Sequence, residues 1–381
     1  MDYAYGLSNR QTSFLQLPLV RLLYSGFPVV AMFFLLSGFV LSYRPLALQS
    51  LQPKDTASAE ELMACLSSLA FRRGIRLFVP PLASTFVTMC MVYYVPQVWQ
   101  EPPHLSSFRA QASDWGQFIH KDLLNVWSAT HMESATYRYD PNLWTVTPEF
   151  SCSMLLLLSH LVMIRKARLV RLIFWTACSS YTFQEGLFEV GLFHTGALIA
   201  DLNFSKNERC RLLPRPEYVT TIWITVFLSG GFLASYPEQR ATEIFVYSWL
   251  PLFGSNHYDE YVCWQMTGAT LTILSLTAER RLQNLFSIPA LEHFVRLSYA
   301  IYLCHGPVLR ILQPRLIPVL PSDFGSFEKP SSFTLLYTFT MLFPVVWDFA
   351  WLFWRVVDEP TTRYARRLER FLMSPDQSHI N

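Results

Sequence analysis

Stretches without a single Lys, Arg, Asp or Glu recur along the chain, at residues 22–43, 77–100, 218–237 and 261–278. An apolar run of about 20 residues can cross a bilayer as one helix, because a helix satisfies its backbone amides and carbonyls without water. The pattern therefore predicts an all-α fold, a polytopic transmembrane helical bundle. When shorter apolar runs are included, it predicts about nine spans, near 22–43, 77–99, 143–164, 169–184, 186–203, 218–237, 261–278, 294–313 and 331–354. The segment 244–258 is interrupted by Pro251, Gly254 and Asn256 and reads as a short re-entrant or interfacial piece.

Basic residues between the runs suggest an orientation. Residues 44–76 carry Arg44, Lys54, Arg72, Arg73 and Arg76, whereas 101–142 carry Glu101, Asp114, Asp122, Glu133 and Asp140 against Arg109, Lys121 and Arg138. The positive-inside bias puts the first segment in the cytoplasm and the second outside or in a lumen. Residues 54–76 are amphipathic, with Leu62, Cys65, Leu66, Leu69 and Ile75 on one face. They predict a helix lying on the cytoplasmic surface, interrupted by Pro80 and Pro81.

Composition agrees with a membrane protein. Of 381 residues, 51% are hydrophobic and 15% charged, against roughly 25% charged in an ordinary soluble domain. The net charge of +2 comes from short clusters rather than a basic stripe, which argues against a nucleic-acid partner. The seven cysteines are scattered and form no CxxC pair, so neither a zinc site nor a disulfide framework is expected. No signal-peptide pattern opens the chain. Residues 1–371 read as a single integral membrane domain and 372–381 as a short polar tail.

Few polar groups remain to carry chemistry. Glu149 sits in Leu143-Trp144-Thr145-Val146-Thr147-Pro148-Glu149-Phe150, at the expected external mouth of an apolar span. An acidic residue at the middle of a membrane costs roughly 3 kcal/mol, less near the interface, and should face the bundle interior or a wet cavity. It reads either as a rim carboxylate in water or as a group orienting a base or a cation. His305 lies in Ser298-Tyr299-Ala300-Ile301-Tyr302-Leu303-Cys304-His305-Gly306-Pro307. It is either a packing residue or a proton carrier, since an imidazole titrates near neutral pH. Arg72 and Arg76 share a helical face, with Arg73 beside them. The cluster could hold phosphates bidentately or fix topology through anionic lipid headgroups. His160 and His194 read as structural.

Phe33-Phe34-Leu35-Leu36-Ser37-Gly38-Phe39 resembles the FFxLSGF signature of the membrane acyltransferase-3 family. The resemblance continues, in the family's order, through Arg72-Arg73-Gly74-Ile75-Arg76, Leu143-Trp144 to Glu149, and Ser298-Tyr299 to His305-Gly306-Pro307. Leu17-Pro18 to Arg21 and the RRGIRLFVPP segment are most similar to the filamentous-fungal branch. The resemblance implies transfer of an acyl group, acetyl above all, from cytosolic acyl-coenzyme A to a hydroxyl on a sugar, lipid or secondary metabolite. It implies no permanently bound cofactor or metal, and as partners membrane lipids and a small-molecule or glycan acceptor. Arg72, Arg73 and Arg76 become the coenzyme A contacts or pocket support, Glu149 the family's carboxylate, and His305 a supporting histidine. The expected location is the endoplasmic reticulum or plasma membrane. The resemblance also implies an additional first helix bearing a histidine base, which has no counterpart before Leu22. An inactive relative acting as a membrane binding or partner protein is therefore the alternative to an enzyme. A transporter is a third class, but it would call for symmetric halves or paired broken helices.

Overall fold

The computed structural model describes residues 17–51, 56–95, 102–127, 137–204, 217–239, 245–250, 257–316, 325–326, 329–330 and 332–373. The chain is helical almost throughout: α1 (Gly26–Leu51), α2 (Thr56–Tyr94), α3 (Phe108–Phe118), α4 (Val146–Val162), α5 (Arg168–Gln184), α6 (Phe188–Phe204) and α7 (Glu217–Ala234). There follow α8 (Phe245–Ser248), α9 (Glu260–Ala278), α10 (Arg280–Phe286), α11 (Pro289–Leu316), α12 (Ser332–Phe353) and α13 (Glu359–Met373). Gly325–Ser326 pairs antiparallel with Lys329–Pro330.

The all-α class stands, but about nine spans is corrected to five among the described residues: Gly26–Gln49, Glu60–Tyr94, Pro141–Val162, Glu217–Ala234 and Leu336–Leu372. The remaining four expected spans are helices that are too short or too polar. Helices α5 and α6 have 17 residues each, and α6 buries His194, Asp201 and Asn203. Charge-free 261–278 carries Gln265, Thr267, Thr270, Thr272, Ser275 and Thr277, so absence of charge overstated its apolarity. Helix α11 includes Glu292, Arg296, His305, Arg310 and Arg315. Of the proposed re-entrant segment 244–258, Phe245–Ser248 forms one helical turn, while residue 244 and residues 251–256 lie outside the described residues.

The chain divides into two compact units, Met1–Leu66 with Cys152–Ile288, and Ser67–Ser151 with Pro289–Asn381. In the first unit, α1 packs against α6 through glycines. A Cβ on Gly38 would overlap the Phe193 backbone, and one on Gly196 the Leu35 carbonyl. Small residues at such crossings let helix backbones approach closely where lipid supplies no hydrophobic drive. Beside them Asp201, fully buried, accepts two hydrogen bonds from Arg171, each 2.9 Å, and one from the Trp175 indole at 3.2 Å. His160 meets Ser42 at 2.8 Å, and His194 meets Ser159 at 3.2 Å. These two histidines bridge helices.

Helix α2, which enters the second unit at Ser67, is not interrupted at its prolines. It runs 39 residues through Pro80 and Pro81. A proline at position i leaves the carbonyl of residue i−4 without its helical donor. For Pro81 that carbonyl belongs to Leu77, and the Tyr299 hydroxyl of α11 donates to it at 3.2 Å. Pro307 in α11 frees the Leu303 carbonyl in the same way, and Ser84 Oγ of α2 donates to that at 3.0 Å. Each helix thus supplies the hydrogen bond that the other's proline removes. Described residues of the segment after residue 101 contribute to this unit's core. Ser107 caps α3 by accepting from the Ala110 amide, and Phe118, Leu123, Tyr139 and Leu143 are buried together with Leu303.

Candidate active site

The expected site residues Arg72, Arg73, Arg76, Glu149 and His305 all belong to the second unit. Arg73 donates from Nη2 to Glu149 Oε1 at 2.8 Å. The basic cluster and the carboxylate were expected on opposite membrane faces, and the structure pairs them. Because α2 continues unbroken, Arg73 lies roughly 20 Å from the Glu60 end and 30 Å from Tyr94 at 1.5 Å per residue. It lies four residues ahead of the charge-free run 77–100. A largely buried cation requires a counter-charge, and Glu149, only 8% exposed, provides one. The adjacent arginines have other partners. Arg72 pairs with Glu369 of α13 at 3.3 Å, while Arg76 is exposed and lies within electrostatic range of Glu149 and Asp358. Asp358 ends a π-helical turn, Trp354–Asp358.

Helix α11 presents Tyr299, Tyr302 and His305 at three-residue spacing, which keeps them near one face. Tyr299 reaches the Leu77 carbonyl, and the Tyr302 hydroxyl meets Thr145 Oγ1 at 2.6 Å and donates to the Asn142 carbonyl. His305 Nδ1 faces the carbonyl oxygens of Tyr302, at 2.7 Å, and Ile301, at 3.2 Å. Both can only accept, so Nδ1 carries the hydrogen. The lone pair of the neutral ring is then on Nε2, which has no hydrogen-bond partner among the described residues. This is the form of imidazole that takes up a proton.

Asp140 precedes the 3-10 turn Pro141–Thr145, and its Oδ1 accepts from the Asn142 amide and side chain, each at 3.0 Å. Proline at the first helical position and aspartate at the cap specify this turn locally. Burial pushes the Asp140 carboxyl above its usual range, opposed by the Asn142 hydrogen bonds and by the charges of His305 and Arg310. Asp140, Tyr299, Tyr302, Asp358 and Glu369 were not among the sequence candidates. The Asp-Pro cap pattern and the three-residue spacing ahead of His305 were the available signals.

Residues 2–349 match a family model described as an acyltransferase domain. The chain is similar to O-acetyltransferase PaAT-1 of Phomopsis amygdali, 30% identical over 79% of this chain and 65% of that protein. It is also similar to acyltransferase R4 of Phoma sp. and acyltransferase clz18 of Cochliobolus lunatus, at 24% and 23% identity, each over 93% of this chain and 83% of the relative. It thus spans just under two thirds of the length of the first of these relatives. No solved structure shows a significant match. A family match across nearly all of the apolar helices, together with three fungal relatives, shows that the chain belongs to the membrane acyltransferase-3 family, in its fungal branch.

Proposed function

We propose that this protein is an acyl-coenzyme A-dependent O-acyltransferase that moves an acetyl group to a hydroxyl of a sugar, lipid or secondary-metabolite acceptor, with His305 as base. The observation that carries the reading is the bare Nε2 of His305, on the same helix face as Tyr299 and Tyr302, which lie within electrostatic range of Glu149, the partner of Arg73. From Tyr299 to His305 the helix rises about 9 Å, a separation that the extended pantetheine arm of coenzyme A can bridge. Exposed Arg76, with Arg72, would hold the phosphates, and Glu149 would keep Arg73 in place. The acceptor hydroxyl gives its proton to His305 Nε2 while its oxygen attacks the thioester carbonyl. The C–S bond then breaks, and the leaving thiolate takes the proton back as coenzyme A thiol.

Detergent-solubilised protein incubated with radiolabelled acetyl-coenzyme A and a panel of hydroxyl acceptors should release coenzyme A thiol and label an acceptor. His305→Gln should lower turnover by about 10²- to 10⁴-fold, the usual contribution of a positioned base. Transfer undiminished in that variant would remove His305 from the mechanism. Arg76→Gln should raise KM for acetyl-coenzyme A about tenfold or more at nearly constant kcat, because a charge-assisted hydrogen bond to phosphate contributes about 1.5–3 kcal/mol. An unchanged KM would assign the phosphates to other residues.

A further inference from the structure

We infer that Asp140 is the electrostatic partner of His305, a positioning carboxylate that stabilises the imidazolium formed when the base takes the acceptor's proton. The inference rests on the acyltransferase reading above and adds a residue to its machinery. Asp140 is 1% exposed. Its cap is complete with Oδ1 alone, while buried Oδ2 has no hydrogen-bond partner among the described residues. A cap does not explain that arrangement, since asparagine or serine caps as well without burying a charge. The carboxylate is also held against the backbone of the base's own helix. A Cβ on Gly306, the residue after His305, would lie 3.0 Å from Asp140 Oδ1 and 2.8 Å from Asn142 Nδ2. Glycine at 306 is what permits that approach.

The other titratable or charged groups around the pair are Arg310, Cys304 and Tyr302 of α11, each within electrostatic range of Asp140. Of these, Arg310 carries positive charge and Cys304 and Tyr302 are neutral as acids, so Asp140 is the anion placed to offset charge arising on His305. In a buried site a carboxylate with one oxygen unbonded is poorly solvated, and a proton arriving at His305 Nε2 adds a second positive charge to that of Arg310. The step asks no proton of Asp140, and the proton balance of the transfer is unchanged.

Asp140→Asn tests this because it retains the cap and removes the charge. A negative neighbour favours the imidazolium, so its loss should displace the pH dependence of His305 modification to lower pH. The first readout is the pH dependence of His305 carbethoxylation by diethylpyrocarbonate, followed by peptide mass spectrometry on the full-length protein. It requires no catalytic turnover. The expected result is a midpoint displaced downwards in Asp140→Asn, and in Asp140→Ser should the first variant fail to accumulate. The second readout is the acidic limb of the pH profile for acetyl transfer, which should move in the same direction as turnover falls at least tenfold. An unmoved carbethoxylation midpoint overturns the inference, even if activity drops, because a structural defect would reduce activity without moving it. A displaced midpoint in a protein that transfers no acetyl group would support the Asp140–His305 pairing and count against the enzyme reading instead.

Discussion

Glu149→Gln is expected to cost the protein about 3–5 kcal/mol of stability together with its acyl transfer, because the substitution leaves the Arg73 guanidinium buried without its counter-charge. Arg73 and Glu149 side chains are only 19% and 10% exposed, so water offers little compensation. The measurement is thermal unfolding of the detergent-solubilised protein, followed through tryptophan fluorescence. The paired variant Arg73→Met with Glu149→Leu separates stability from chemistry. Replacing both members of a buried ion pair with apolar residues is often neutral or stabilising, so the double variant should recover most of the loss. It should still transfer no acetyl group if the pair serves the site. A Glu149→Gln protein as stable as the parent would show that the carboxylate is not the cation's partner in the membrane. Full activity in the double variant would make the pair an element of architecture alone.

Gly38→Ala should be among the most damaging changes of a single methyl group in the first unit, alongside Gly196→Ala and Gly268→Ala. The added Cβ would overlap the carbonyl and Cα of Phe193, and a helix backbone cannot move aside as a flexible side-chain end can. Overpacking of this kind costs roughly 1–3 kcal/mol, occasionally more, and here the response open to α1 and α6 is to separate. Fluorescence-detected size-exclusion chromatography of the variant should show a reduced monodisperse peak and a lower unfolding temperature. Gly26→Ala is the control, since nothing lies within 4 Å of a Cβ there. Equal effects from the two substitutions would mean that helix propensity, rather than the crossing, governs the result.

The FFxLSGF match is thereby given a physical meaning, since its glycine marks the place where α1 touches α6. The predominant helicity of the described residues was legible from the long apolar runs. The number of spans was not. Charge-free counting treats threonine, serine and glutamine as if they were leucine, and it promoted helices such as Glu260–Ala278 to crossings. Loop-charge bias likewise put the arginine cluster and Glu149 on opposite faces, although Arg73 and Glu149 are paired, and the Pro80-Pro81 pattern predicted a break that α2 does not have. The break is avoided through a tyrosine more than two hundred positions away, and no local pattern contains that information. Asp140 was hidden for a related reason. Its carboxylate lies against Gly306 through Oδ1, and that contact depends on the vertical register of α11.

The reciprocal proline bonds between α2 and α11 also impose a schedule on biogenesis. Ser84 and Leu303 are separated by 219 positions and Leu77 and Tyr299 by 222, which at about 5–20 residues per second places the second partner roughly 10–40 s behind the first on the ribosome. During that interval α2 waits in the bilayer with a bare carbonyl at Leu77, a site that insertion chaperones or degradation machinery can recognise. Nascent chains arrested before Tyr299 emerges should therefore be cleared rapidly, and those arrested after α11 has inserted should persist.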